Sequence, residues 1–94
     1  MTNIREQEVL SQRIVALCNA KGMTHYKLSY KSTVPLSTIT NILSGKSSNP
    51  GVFTIMKICD GLDIALDEFF DTEEFHALMV REENEIQEEN WGEK

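Results

Sequence analysis

The chain breaks at Ser32-Thr33-Val34-Pro35 between two short segments of helical period, and this break constrains the fold more than any other feature. Four residues are too few for a domain linker and too polar for a strand. Leu28 precedes the break, Val34 lies inside it, and Leu36, Ile39, Ile42 and Leu43 follow it. Ile39, Ile42 and Leu43 stand at i, i+3 and i+4, the spacing that gathers side chains on one face of a helix. Pro35 has no N–H, and its fixed φ suits a first helical turn, so the pattern predicts a helix from about Pro35 to Ser44. Its outward face would carry Ser37, Thr40, Asn41 and Ser44, short polar groups with no acid among them. Such a face can approach a polyanion and hydrogen-bond to it.

Two short helices joined by so tight a turn read as a helix-turn-helix. The net charge of −6 argues against a nucleic-acid partner until it is divided along the chain. Residues 1–62 hold seven basic side chains against three acids, a net +4, whereas residues 63–94 hold twelve acids against two bases, a net −10. A polyanion meets the local field within a Debye length of about 8–10 Å. The whole-chain figure therefore describes the last third rather than the body.

Upstream of the break, Leu10, Ile14 and Leu17, flanked by Val9 and Cys18, predict an amphipathic helix from about Glu6 to Ala20. Lys21-Gly22 should end it with a left-handed cap, Met23 should turn toward the core, and Thr24 should N-cap a second helix from His25 to about Ser32. Downstream, the turn formers of Ser44–Gly51 lead to a fourth helix from about Val52 to Leu62. Its apolar face is expected to be Val52, Ile55, Met56, Cys59 and Leu62, its last turn weakened by Gly61, with Asp63 or Gly61 in the left-handed cap. A fifth short helix, Leu66 to Phe70, would return Leu66, Phe69 and Phe70 to the core. With 94 residues, 40% apolar and 26% charged, the chain can build one core and little more, an all-α domain of five short helices. Cys18 and Cys59 fall on apolar faces and are read as buried reduced thiols. The chain has no long apolar run and no leader pattern, and the expectation is a cytoplasmic protein without a membrane span.

KGMTHYKLSYKSTVPLSTITNILSGKSSNP, followed by TIMKICDGLDIALDEFF, resembles the Cro and lambda-repressor-like (XRE-type) helix-turn-helix family of bacterial and phage regulators. The resemblance runs from about Val9 to Phe70 and rests on an ordered set: K-G-M-T, V-P-x-S-T-I, G-K-x(2)-N-P and L-D-E-F-F. It implies a five-helix lambda-repressor-like DNA-binding domain over residues 1–70, with its third helix in the major groove of double-stranded DNA and two copies on a two-fold operator. Position by position, it assigns Leu36, Ser37 and Asn41 to base edges. Asn41 can pair with adenine through two bonds, Ser37 can bond several bases, and Leu36 can touch a thymine methyl. Phosphate contacts fall to Thr24 and His25 at the second helix start, to Thr38 and Thr40 on the third helix, and to Ser44 and Lys46 after it.

The chain departs from the family at several points. Thr33 stands where a turn glycine is usual, and positive φ strains a β-branched residue. His25 replaces the usual glutamine, and an arginine common on the third helix is absent, so affinity and its salt dependence should be modest. Cys18 and Leu43 occupy the positions of a frequent arginine–glutamate pair, and an apolar contact is expected there instead.

Residues 71–94 lie beyond the resemblance. Asp71-Thr72-Glu73-Glu74 reads as a capping box with Asp71 as N-cap, opening an acidic sixth helix from about Thr72 to Glu89. Phe75, Leu78 and Met79 either cover the core of their own chain or form half of a homodimer interface, with Ile86 and Trp91 reaching the partner. The run Arg81–Glu89 is a solvated face or a site for a basic partner protein. His76 should face solvent. Neither the two His nor the two Cys have ligand spacing, so no metal or cofactor is expected, and no catalytic constellation stands out. Two functions remain: a DNA-binding transcriptional repressor, or a protein-interaction module on the same fold, antitoxin-like or polymerase-binding, with weak or no DNA contact.

Overall fold

Six helices run through residues 4–47 and 49–79, which a computed structural model of the protein describes: α1 (Ile4–Ala20), α2 (His25–Ser32), α3 (Leu36–Ser44), α4 (Val52–Leu62), α5 (Leu66–Phe70) and α6 (Glu73–Leu78). No strand occurs among the described residues, and the architecture is all-α, as the periodicity requires. No described helix is long and apolar enough to cross a membrane.

One apolar cluster organises these helices. Ile14, Leu28, Ile39, Ile42, Ile58, Leu62 and Phe69 are its large, fully buried members, drawn from α1 to α5. Each contributes up to about 1.5–3 kcal/mol by leaving water. Cys18 is buried and Leu43 packs against the same cluster, so the positions expected to form an apolar contact carry apolar packing. Both cysteines are free thiols. Gly22, at φ +62°, closes α1, and the Met23 N–H donates back to Cys18 O at 2.8 Å, turning Met23 onto the cluster.

The structure revises the expected face of α4. Val52 and Met56 are exposed, at 57% and 46%, while Ile58, absent from the expected set, is fully buried. The stripe that packs on the core is Ile55, Ile58, Cys59 and Leu62, at i, i+3, i+4 and i+7. Gly61 does not simply loosen the last turn. It is buried against α2, where a Cβ would lie 2.7 Å from Ser32 Cβ and 2.8 Å from Ser32 N. Glycine is therefore what lets α2 and α4 approach, and Asp63, at φ +59°, takes the left-handed cap.

Two further expectations change near the end of the chain. Of the three α5 side chains expected in the core, only Phe69 is buried; Leu66 and Phe70 lie at the margin, 36% and 38% exposed. Thr72, not Asp71, caps α6, its hydroxyl accepting the Phe75 N–H at 3.1 Å, so Glu74 cannot close a capping box on Asp71. Asp71 instead lies 3.2 Å from His76 Nε2. Phe75 leans edge-on against Phe70, ring centroids 4.8 Å apart, and packs on the core, while Met79 is 78% exposed. Helix α6 is described only to Leu78. The expected continuation to Glu89, Ile86 and Trp91 included, lies outside the described residues.

Candidate nucleic-acid interface

Helix α2 presents its N-terminus through Thr24, whose Oγ1 accepts the Lys27 N–H at 3.0 Å. That bond uses a lone pair and leaves the hydroxyl proton available to an anion, beside the backbone N–H groups that begin any helix without partners. His25 is exposed next to it.

The turn from α2 to α3 is closed by hydroxyl groups. Ser32 is buried, and its Oγ accepts the Val34 N–H at 3.2 Å; Ser29 Oγ donates to Val34 O at 2.7 Å. Thr33 adopts φ +59°, ψ +24°, the left-handed conformation that its β-branched side chain disfavours, and its hydroxyl donates to Ser32 O. Val34 is thereby held in the core. The sequence signal for this arrangement is the pair of serines, Ser29 and Ser32, that precede the strained position.

Pro35, expected to open the helix, is instead the N-cap of α3, which begins one residue later at Leu36, and its carbonyl accepts the Thr38 and Ile39 N–H groups at 2.9 and 3.1 Å. Ile39 and Ile42 face the core, which turns residues 36, 37, 40, 41 and 44 outward along one arc. At about 100° per residue that arc spans roughly 140°. Leu36, Ser37, Thr40, Asn41 and Ser44 are all exposed on it, and the Asn41 carboxamide makes no hydrogen bond among the described residues. Thr38 is half-buried at the edge of the arc, and Lys46 is exposed in the loop beyond Gly45, which caps α3 at φ +87°. Ser44 Oγ donates to Asn41 O at 3.3 Å, so its hydroxyl must leave that acceptor before it can donate to an anion.

No charged side chain lies on α3 itself; the nearest cations in sequence are Lys31 and Lys46. Arg13, which contributes to the +4 body, is engaged elsewhere. Its Nε donates to Phe69 O at 2.7 Å and its Nη2 to Glu68 O at 2.9 Å, capping the C-terminus of α5. Nothing in the spacing of α1 announced that role, because it joins residues 56 positions apart.

The geometry is thus an exposed, acid-free face of one helix packed against a second helix, both set on one core. The model of the Cro/C1-type HTH DNA-binding domain family matches residues 13–74 of the chain. No curated protein and no solved structure matches it.

Proposed function

We propose, because the chain belongs to the Cro/C1-type helix-turn-helix DNA-binding family, that it is a sequence-specific transcriptional regulator which represses by occupying an operator. In this reading α3 enters the major groove. Its nine residues extend about 13 Å, close to the groove width of about 12 Å. Leu36, Ser37 and Asn41 read base edges, and Thr24, His25, Thr38, Thr40, Ser44 and Lys46 hold phosphates. The observation that carries the reading is the exposed arc of α3, where the Asn41 carboxamide has both its donor and its acceptor to offer. Residues 1–70 form the DNA-binding unit and residues 71–94 serve association.

Asn41→Ala tests the first part. A lost bidentate pair weakens discrimination by about 1–3 kcal/mol, so retention on the selected duplex should fall roughly 5- to 150-fold while the circular dichroism spectrum stays unchanged. Unchanged retention would return the chain to the protein-interaction class.

Association as a homodimer is supported by an apolar groove of about 350 Å³ that includes Leu10, Ile55, Phe70, Phe75, Leu78 and Met79 in its lining. Met79 is exposed enough to be changed without disturbing the core. Sedimentation of Met79→Glu should give a monomer mass; a dimer mass would reject this surface.

A further inference from the structure

Three acids stand among residues 1–62, and the fold puts each in a different place. Glu6 lines the apolar groove with Phe70 and Phe75. Asp60 lies beside Phe53 and the α2–α3 turn. Glu8 meets α3. With Gln7 and Ser11 of α1 it forms one wall of a hollow of about 190 Å³ whose other wall is Leu43, Ser44 and Gly45. A Cβ on Gly45 would lie 3.4 Å from Gln7 Oε1, which shows how near this part of α1 comes to the cap of α3.

Charge at this end of α3 is one-sided. The C-terminus of a helix carries the negative end of its backbone dipole, roughly half an elementary charge. The last turn of α3 has no basic residue to offset it. Glu8 is exposed and forms no ion pair among the described residues, not even with Arg5 one turn earlier, so its carboxylate adds to that end uncompensated. Lys46, exposed in the loop beyond Gly45, attracts a phosphate to the same end. A phosphate held by Ser44 and Lys46 would therefore meet a like charge across the hollow.

We propose that Glu8 limits the affinity of the nucleic-acid interface, its carboxylate opposing the phosphate contacts made at the end of α3. This role rests on the DNA-binding reading of α3. Glu8 lies upstream of residues 13–74, the span that the family model matches, so membership of the family assigns it no part. Phosphates are the same in every sequence, so the penalty falls on all duplexes alike and restrains binding to non-target DNA as much as to an operator.

Fluorescence anisotropy of two labelled duplexes, one selected for binding and one of scrambled sequence, tests this in the full chain. Glu8→Gln should tighten binding to both by roughly two- to fivefold at about 0.05 M salt, and Glu8→Lys by roughly five- to twentyfold, with the gains shrinking at about 0.3 M. Glu6→Gln makes the same change in net charge at the apolar groove instead, and should move either affinity by less than about half as much. Both glutamates are exposed, so neither substitution disturbs the core. Equal gains from Glu6→Gln and Glu8→Gln would overturn the proposal, leaving only the net charge of the chain. So would a loss of affinity confined to the selected duplex, which would make Glu8 a reader of a cytosine amino group. Measurable binding by the parent protein that Glu8→Gln does not tighten overturns the role of Glu8 alone. Failure of the parent and every variant to bind any duplex removes the DNA reading and this role together.

Discussion

Thr33 and Gly61 are placed against their usual preferences, and each shows what surrounds it. Thr33 holds a left-handed conformation because Ser32 and Ser29 bond across it to the Val34 backbone and Val34 is locked in the core. A non-glycine residue in that conformation costs on the order of 1 kcal/mol. Thr33→Gly should therefore raise stability by about 0.5–1 kcal/mol, less than the full strain because glycine also frees the unfolded chain; urea titration would register it, and a loss of stability would show that the Thr33 hydroxyl matters more than the strain. Gly61 behaves in the opposite way. Helix propensity alone favours Gly61→Ala by about 1 kcal/mol. The added methyl would meet the Ser32 backbone at 2.8 Å, however, and overpacking of that kind costs about 1–3 kcal/mol. The expected result is net destabilisation, with the loss appearing in the urea midpoint. A midpoint at or above that of the parent protein would mean that α2 and α4 can separate freely.

Helices themselves were well marked. The bounds of α2, α4 and α5 match the periodicity, with Thr24 capping α2 and Asp63 closing α4. The start of α6 lies one residue beyond the expected one, because Asp71 and Thr72 are both good caps and local chemistry does not choose between them. The buried side of α4 differs from the expected one for a related reason. Val52-Ile55-Met56-Cys59 and Ile55-Ile58-Cys59-Leu62 are both helical stripes, and the neighbouring helix selects the second. Helix α5, five residues long, cannot stand alone and depends on Arg13 across the core. Arg13→Met keeps much of the stem but leaves the Phe69 and Glu68 carbonyls without their donor. It should cost about 1–3 kcal/mol by thermal or urea unfolding, with faster hydrogen exchange over α5 and α6 than elsewhere. Uniform exchange would mean that these helices do not open separately.

The two thiols report on the whole molecule. Burial pushes both Cys18 and Cys59 above the ordinary value of 9.0, with the Arg13 charge opposing this in part at Cys59. The folded state thus holds these protons more tightly than the unfolded chain does. Their contribution is complete below pH 9 and is lost as pH rises above it. Stability should be lower at pH 10 than at pH 8, and a Cys18→Ala/Cys59→Ala protein should show a shallower decline over the same interval. Binding by the whole molecule should also respond weakly to salt. With Arg13 engaged and no charge on α3, the cations on or directly after the two helices are Lys27, Lys31 and Lys46, which gives a logarithmic salt slope of roughly −3 per copy. A slope twice as steep would point to phosphate contacts outside α2, α3 and Lys46.

Local rules are enough to derive the helix succession, the break at Pro35, the apolar side of α3 and the outward group Ser37, Thr40, Asn41 and Ser44. Each depends on residues no more than about eight positions apart, and a period of 3.6 encodes that information directly. The reach of Arg13 to α5, the buried approach of Gly61 to Ser32, the choice of Ile58 over Met56, and the exposure of Phe53 follow no such rule. They arise because several helices must share one small core, and which sides meet depends on packing between segments that the order of residues leaves far apart.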